Sequence, residues 1–220
     1  MQIVRARPTG PADRESGFSL VEVVIAIAIL GILSTASLGV YLSGLNSATT
    51  QQRRQVAIAL ANSAMEKAVA TPIAGLTAGR GMNAVQTRWT ANLPRATDLP
   101  SVAGVDTTYQ LWDSAAPVAG YGTLPIFDTS NQVNGTKYTV DTLVGSCFQK
   151  RAAVGTQPGG PCTVTTGWPV APATPTDRIR MIRVIVVVRW SAGAGCGSGA
   201  CNYSTTTLLD SSSELTWNAP

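Results

Sequence analysis

Histidine is absent from this chain, and charge is scarce: Lys, Arg, Asp and Glu together supply 13% of the 220 residues. The first absence excludes Ser-His-Asp and Cys-His nucleophile arrangements, HExxH metalloprotease sites and any His-ligated metal, because each needs an imidazole as base or ligand. The second leaves no basic stripe. Sixteen Lys and Arg stand against twelve Asp and Glu, a formal charge of +4, and the basic residues are scattered. Composition therefore gives no support for a nucleic-acid groove. Cysteine is limited to four residues, an even number that suits disulfides if the chain is exported. The length allows one core-bearing domain with an accessory element.

What is present begins with a short polar stretch, residues 1–17, carrying Arg5, Arg7 and Arg14 against Asp13 and Glu15. From Phe18 to Leu33 every residue except Ser19 and Glu22 is apolar or glycine, and the run then fades through small residues to Leu45. A helix over 18–40 would be roughly 34 Å long, enough to cross a hydrocarbon core. Arginine before the span favours an N-in orientation, although Arg53 and Arg54 on the far side weaken the bias. Three readings fit such a segment. One is a secretory signal peptide cut at Ser34-Thr35-Ala36, giving a mature chain from near Ser37. The second is a plain single-pass anchor. The third is a leader that is cut before the apolar run, so that the run is retained.

The residues Gly17-Phe18-Ser19-Leu20-Val21-Glu22 closely resemble the type IV prepilin processing motif: a glycine, an aromatic, and a lone glutamate four residues beyond it, opening an apolar helix. The resemblance implies that a prepilin peptidase cuts after Gly17 on the cytoplasmic side and that Phe18 becomes an N-methylated terminus. It also implies that Glu22 meets the terminal amine of a neighbouring pilin subunit during assembly on an inner-membrane platform. An ionised carboxylate at the centre of a membrane helix is unfavourable by roughly 2.5–3.5 kcal/mol, less near an edge, and a cationic partner offsets that cost. The bland alternative is that Glu22 reaches the headgroups. On the pilin reading the protein is not an enzyme and needs no cofactor.

Residues 46–71 read as a helix continuing the span. Ile58, Ala61, Met65 and Ala68 form a stripe broadened by Val56, Leu60 and Val69, and Thr71-Pro72 supplies the stop. Gly31, Gly39 and Gly44 either soften the apolar half, as in the family, or allow close helix packing.

Residues 72–220 form a β-rich, extracytoplasmic domain on this reading. Pro72 to about Thr136 is loop-like, with a short strand near 107–112. In 137–148 the residues Tyr138, Val140, Thr142 and Val144 share a face. The strongest strand is 179–190, whose Ile182, Val184, Val186, Val188 and Trp190 line one side. A Gly-rich loop leads from it to a return strand at 203–209. The fold class is α+β: a long N-terminal helix packed on an antiparallel sheet of three or four strands. That is also the pilin architecture, and the late hairpin is loosely similar to PilV-type minor pilins and I-type minor pseudopilins. A minor pilin of a type IV pilus is the first reading of function. A pseudopilin of a secretion or DNA-uptake machine is the second, and a secreted binding module is a third.

Cys196 and Cys201 flank a short loop suited to a disulfide, which leaves Cys147 and Cys162 to pair by elimination, though four cysteines allow three connectivities. A Cys-only zinc site is the rival, but no C-x2-C pair occurs. The run Gly193-x-Gly195-x-Gly197-x-Gly199 lacks a P-loop lysine and reads as a flexible hairpin tip. Arg178, Arg180, Arg183 and Arg189 on the long strand are expected to form a solvated face, the rival reading being contact with nucleic acid or an acidic neighbour. The five tryptophans are expected to serve packing.

Overall fold

A computed structural model describes residues 17–93, 102–113, 124–151, 160–191 and 201–210. The chain divides into two compact units, Met1–Leu45 and Asn46–Pro220. The helix α1, Leu20–Ala70, is continuous over 51 residues, about 76 Å at 1.5 Å per residue. Gly31, Gly39 and Gly44 all lie within its helical span. Inside the apolar run, the hydroxyls of Ser34, Thr35 and Ser37 donate to the carbonyls of Leu30, Ile32 and Leu33. These back-bonds satisfy polar groups where no water would be available. At the other end the Thr71 hydroxyl donates to the Lys67 carbonyl, and Pro72 ends the helix.

Two short helices follow, α2 (Ile73–Thr77) and α3 (Met82–Asn92), then strands β1 (Tyr109–Gln110), β2 (Phe127–Val133), β3 (Thr136–Lys150), β4 (Arg178–Trp190) and β5 (Cys201–Asp210). The sheet has five strands in the order β1-β3-β4-β5, with β2 also paired to β3, and every pairing is antiparallel. The expected fold class is observed, with one strand more than the largest number expected. The short strand expected near 107–112 is found as β1, and the loop reading of the rest of Pro72 to Thr136 is corrected, since it holds α2, α3 and β2. Its Gly, Pro and Thr content masks short elements that tertiary packing stabilises.

β3 is paired with β4 from Tyr138 to Lys150, while its other edge takes β2 at its start and β1 at Gly145 and Ser146. The β2–β3 hairpin closes on Asn134-Gly135, both with positive φ (48° and 74°), the backbone that a two-residue type I′ turn needs. β1 approaches β3 at Gly145, where a Cβ would collide with the Tyr109 carbonyl and the Thr108 side chain. Only glycine admits that contact.

Both faces of the sheet are covered. The even positions of β4, Ile182 to Trp190, join Tyr138, Val140 and Val144 against Ala57, Ala61 and Ala68 of α1. The sheet supplies the bulk at this contact, and the helix supplies small residues that permit close approach. Val56, Leu60 and Met65 pack at its margin. The expected stripe is therefore corrected: Ala57 and Ala64 belong to it, whereas Val69 is exposed and Ile58 is not part of the cluster. Hydropathy had favoured large residues where packing uses small ones.

The opposite face, with Leu143, Ile185 and Val187, is covered by Val85 and Trp89 of α3 and by Val102 and Val105. Hence Arg183 and Arg189 are not on a solvated face. Arg183 is buried and donates from Nη1 to Thr108 Oγ1 (2.8 Å) and from Nη2 to the Cys162 carbonyl. Arg189 donates to Asp141 Oδ2 at 2.7 Å, beside the Asn92 amide at 2.9 Å. Asp141 itself is 1% exposed. Arg80 is equally buried and donates to the carbonyls of Leu76 and Thr142. Desolvation by that burial lowers its pKa to about 10.

Cys147 and Cys162 are joined in a disulfide across a sequence separation of 15, a loop closure stabilising by about 3 kcal/mol on the chain-entropy account. It clips the 160–166 segment to β3, where Phe148 and Thr163 exchange backbone hydrogen bonds of 2.8 and 3.0 Å. The Tyr109 hydroxyl accepts from the amides of Thr165 and Thr166 and donates to the Thr166 carbonyl. Cys201 is also disulfide-bonded; Cys196 and the run Gly193–Gly199 lie outside the described residues. Trp89 and Trp190 are core residues, whereas Trp168 is 42% exposed. Trp217 lies outside the described residues.

Candidate functional site

The N-terminal unit, taken by itself, carries the chemically unusual residues. Gly17, Phe18 and Ser19 precede the first helical residue, Leu20. The Gly17–Phe18 peptide bond is thus outside the helical hydrogen-bond ladder, which opens with the Val23 amide donating to the Ser19 carbonyl at 3.2 Å. No atom stands within 4 Å of a Cβ placed on Gly17, and Phe18 is 82% exposed. Residues 1–16, including the leader arginines Arg5, Arg7 and Arg14, lie outside the described residues.

Glu22 is in the first turn of α1, four residues after Phe18 in sequence. Phe18, Glu22, Val23, Ala26, Ile27 and Leu30 line one groove of about 450 Å³. Sequence reading singled out the first two and missed the other four. Their spacing of three and four residues was the available signal. Among the described residues no cation lies within ion-pair distance of Glu22.

Every described residue from Gly17 to Leu45 is exposed, including Leu20 at 80% and Ile32 at 70%. Among the described residues, α1 is the one helix long and apolar enough to cross a membrane. A carboxylate on such a surface, with no cation beside it, is complementary to a positive charge arriving from outside the helix.

Residues 13–38 match the family model described as the prokaryotic N-terminal methylation motif. The chain carries that motif. The matched stretch contains Gly17, Phe18 and Glu22 together with most of the apolar run, and it is consistent with a type IV pilin-like protein. No curated protein and no solved structure matches the chain. The matched motif covers the exposed N-terminal residues as far as Leu38, while the sheet domain must be read on its own geometry. Among the described residues no group of His, Cys, Asp and Glu side chains could hold a metal ion.

Proposed function

We propose that this protein is a structural subunit, a minor pilin, of a type IV pilus-like filament. Prepilin peptidase cuts it after Gly17, Phe18 becomes the N-methylated terminus, and the helix through Leu45 is retained as membrane span and then as filament core. Before assembly the chain sits N-in and C-out, with the Asn46–Pro220 unit outside the cytoplasmic membrane. The inner-membrane assembly platform and other pilins are its partners, and its role is structural rather than catalytic.

One observation carries this reading: the methylation motif opens an apolar run whose described residues, from Gly17 to Leu45, are all exposed. An exposed run of this length calls for lipid or other helices to cover it. Glu22 supplies the directional element. Cleavage after Gly17 creates an α-amine on Phe18, and pairing that cation with Glu22 of a neighbouring copy offsets the desolvation of both groups and fixes axial register.

N-terminal mass spectrometry of the mature protein tests the reading. A chain beginning at methylated Phe18 is expected. A terminus near Ser37 would mean ordinary signal-peptide cleavage and a secreted module, and an intact Met1 would leave only an anchor. Enrichment in sheared surface filaments then distinguishes a pilus subunit from a pseudopilin.

A further inference from the structure

Within the Asn46–Pro220 unit, a second feature of α1 is independent of the methylation motif. The tip of the β2–β3 hairpin meets the helix and borders a cleft of about 110 Å³, lined by Thr49, Gln52 and Arg53 on the helix and by Asn134, Thr136 and Tyr138 on the hairpin, with Val56 and Val133 as its apolar part. One water needs only about 10–15 Å³ of such space, so the cleft admits a polyatomic ion. The Tyr138 hydroxyl donates to the Arg53 carbonyl at 3.3 Å, which ties the two walls together, and the Tyr138 ring packs beside Trp190 at 6.0 Å between centroids. Asn134 and Gly135 hold the turn that places the hairpin wall.

Charge in this cleft is unbalanced. Arg53 is half-buried, and among the described residues no carboxylate lies within ion-pair distance of it. The Thr49 hydroxyl is already used, donating to the Asn46 carbonyl. Gln52, Asn134 and Thr136 remain as donors with no described side-chain partner. Arg54 and Lys137, exposed and adjacent in sequence to cleft residues, add to the positive potential. A guanidinium with amide and hydroxyl donors around a small recess is the donor set that tetrahedral oxyanions select.

We infer that this cleft is a binding site for a phosphate-type oxyanion, with Arg53 as its principal ligand. The anion comes either from a phospholipid headgroup, since the same helix carries the apolar run, or from soluble phosphate. The site stands on the cleft alone, and only the headgroup source rests on the membrane reading.

The test uses the full chain in detergent micelles, titrated with inorganic phosphate and followed through the backbone amide resonances of Asn134, Gly135 and Thr136. A saturable shift is expected. Arg53→Gln should weaken it by about tenfold or more, the loss expected for a charge-assisted bond, while Arg54→Gln retains it. Thermal melting of both variants checks that the domain is folded. No saturable shift in the parent chain, or equal loss in both variants, overturns the site. A second arm places the parent chain in nanodiscs. If anionic lipid pre-empts the phosphate response that zwitterionic lipid allows, the occupant is a headgroup. If the response persists in both, the occupant is the soluble anion.

Discussion

Two carboxylates in this molecule stand in opposite circumstances. Asp141, at 1% exposure, has its partners within the chain: Arg189 at 2.7 Å, the Asn92 amide at 2.9 Å and Arg88 at 4.0 Å. Glu22 stands on an apolar helix surface with no cation within ion-pair distance among the described residues. The same contrast extends to their surroundings. Around Asp141 the apolar side chains are covered on both faces of the sheet, whereas from Gly17 to Leu45 they are all exposed. The sheet unit covers its apolar faces and pairs this acid within the chain; the described residues of the N-terminal unit leave both uncovered.

The largest effect is expected at the self-satisfied acid. Asp141→Ala should cost up to about 3–5 kcal/mol, because the partly buried Arg189 (side chain 17% exposed) is left without its counter-charge. Chemical unfolding followed by tryptophan fluorescence would measure it. The double change Asp141→Leu with Arg189→Met should lose less than Asp141→Ala alone, since an apolar pair leaves no orphaned charge. If the double variant were the weaker of the two, the pair would not be the source of the cost.

A smaller effect is expected from enlarging the helix. Ala61→Leu, on the fully buried contact with the sheet, should destabilise by about 1–3 kcal/mol through overpacking. Gly39→Leu, in the exposed half with nothing within 4 Å of its Cβ position, should leave the sheet unit's unfolding midpoint unchanged. The same measurement on both variants compares the two halves of one helix. The smallest effect on stability, within about 0.5 kcal/mol, belongs to Glu22→Ala. That change should nonetheless leave membrane insertion intact and deplete surface filaments. Normal filament yield with alanine at position 22 would remove the charge-pairing account.

Much of this contrast was legible in the sequence, because periodicity and run length report burial directly. The apolar run ending near Leu45, the Thr71-Pro72 stop and the period-two face from Ile182 to Trp190 all rest on local patterns. What was not legible depended on non-local packing. β2, read as loop, is a strand of mostly polar residues (FDTSNQV), and its clearest signal was the Asn134-Gly135 turn that follows it. α3 lacks a strong apolar stripe of its own, yet Val85 and Trp89 bury themselves against the sheet's second face. Since alternation along β4 cannot show that a second layer covers the other side, Arg183 and Arg189 looked solvent-facing. At the N-terminal end the residues that carry the proposal were readable, because their chemistry lies in sequence order: a glycine, an aromatic and an acid at fixed spacing.

The Cys147–Cys162 bond has a bearing on the order of events in maturation. Cys147 is 0% and Cys162 3% exposed, and the carbonyl of Cys162 accepts from the buried Arg183. An oxidant of protein size can reach these sulfurs only while the 160–163 segment is off the sheet. Oxidation therefore precedes the final docking of that segment, and on the proposed C-out topology it takes place outside the reducing cytosol. Alkylating newly exported chains at intervals should find the two thiols blocked together or not at all, never a docked segment with free thiols beneath it.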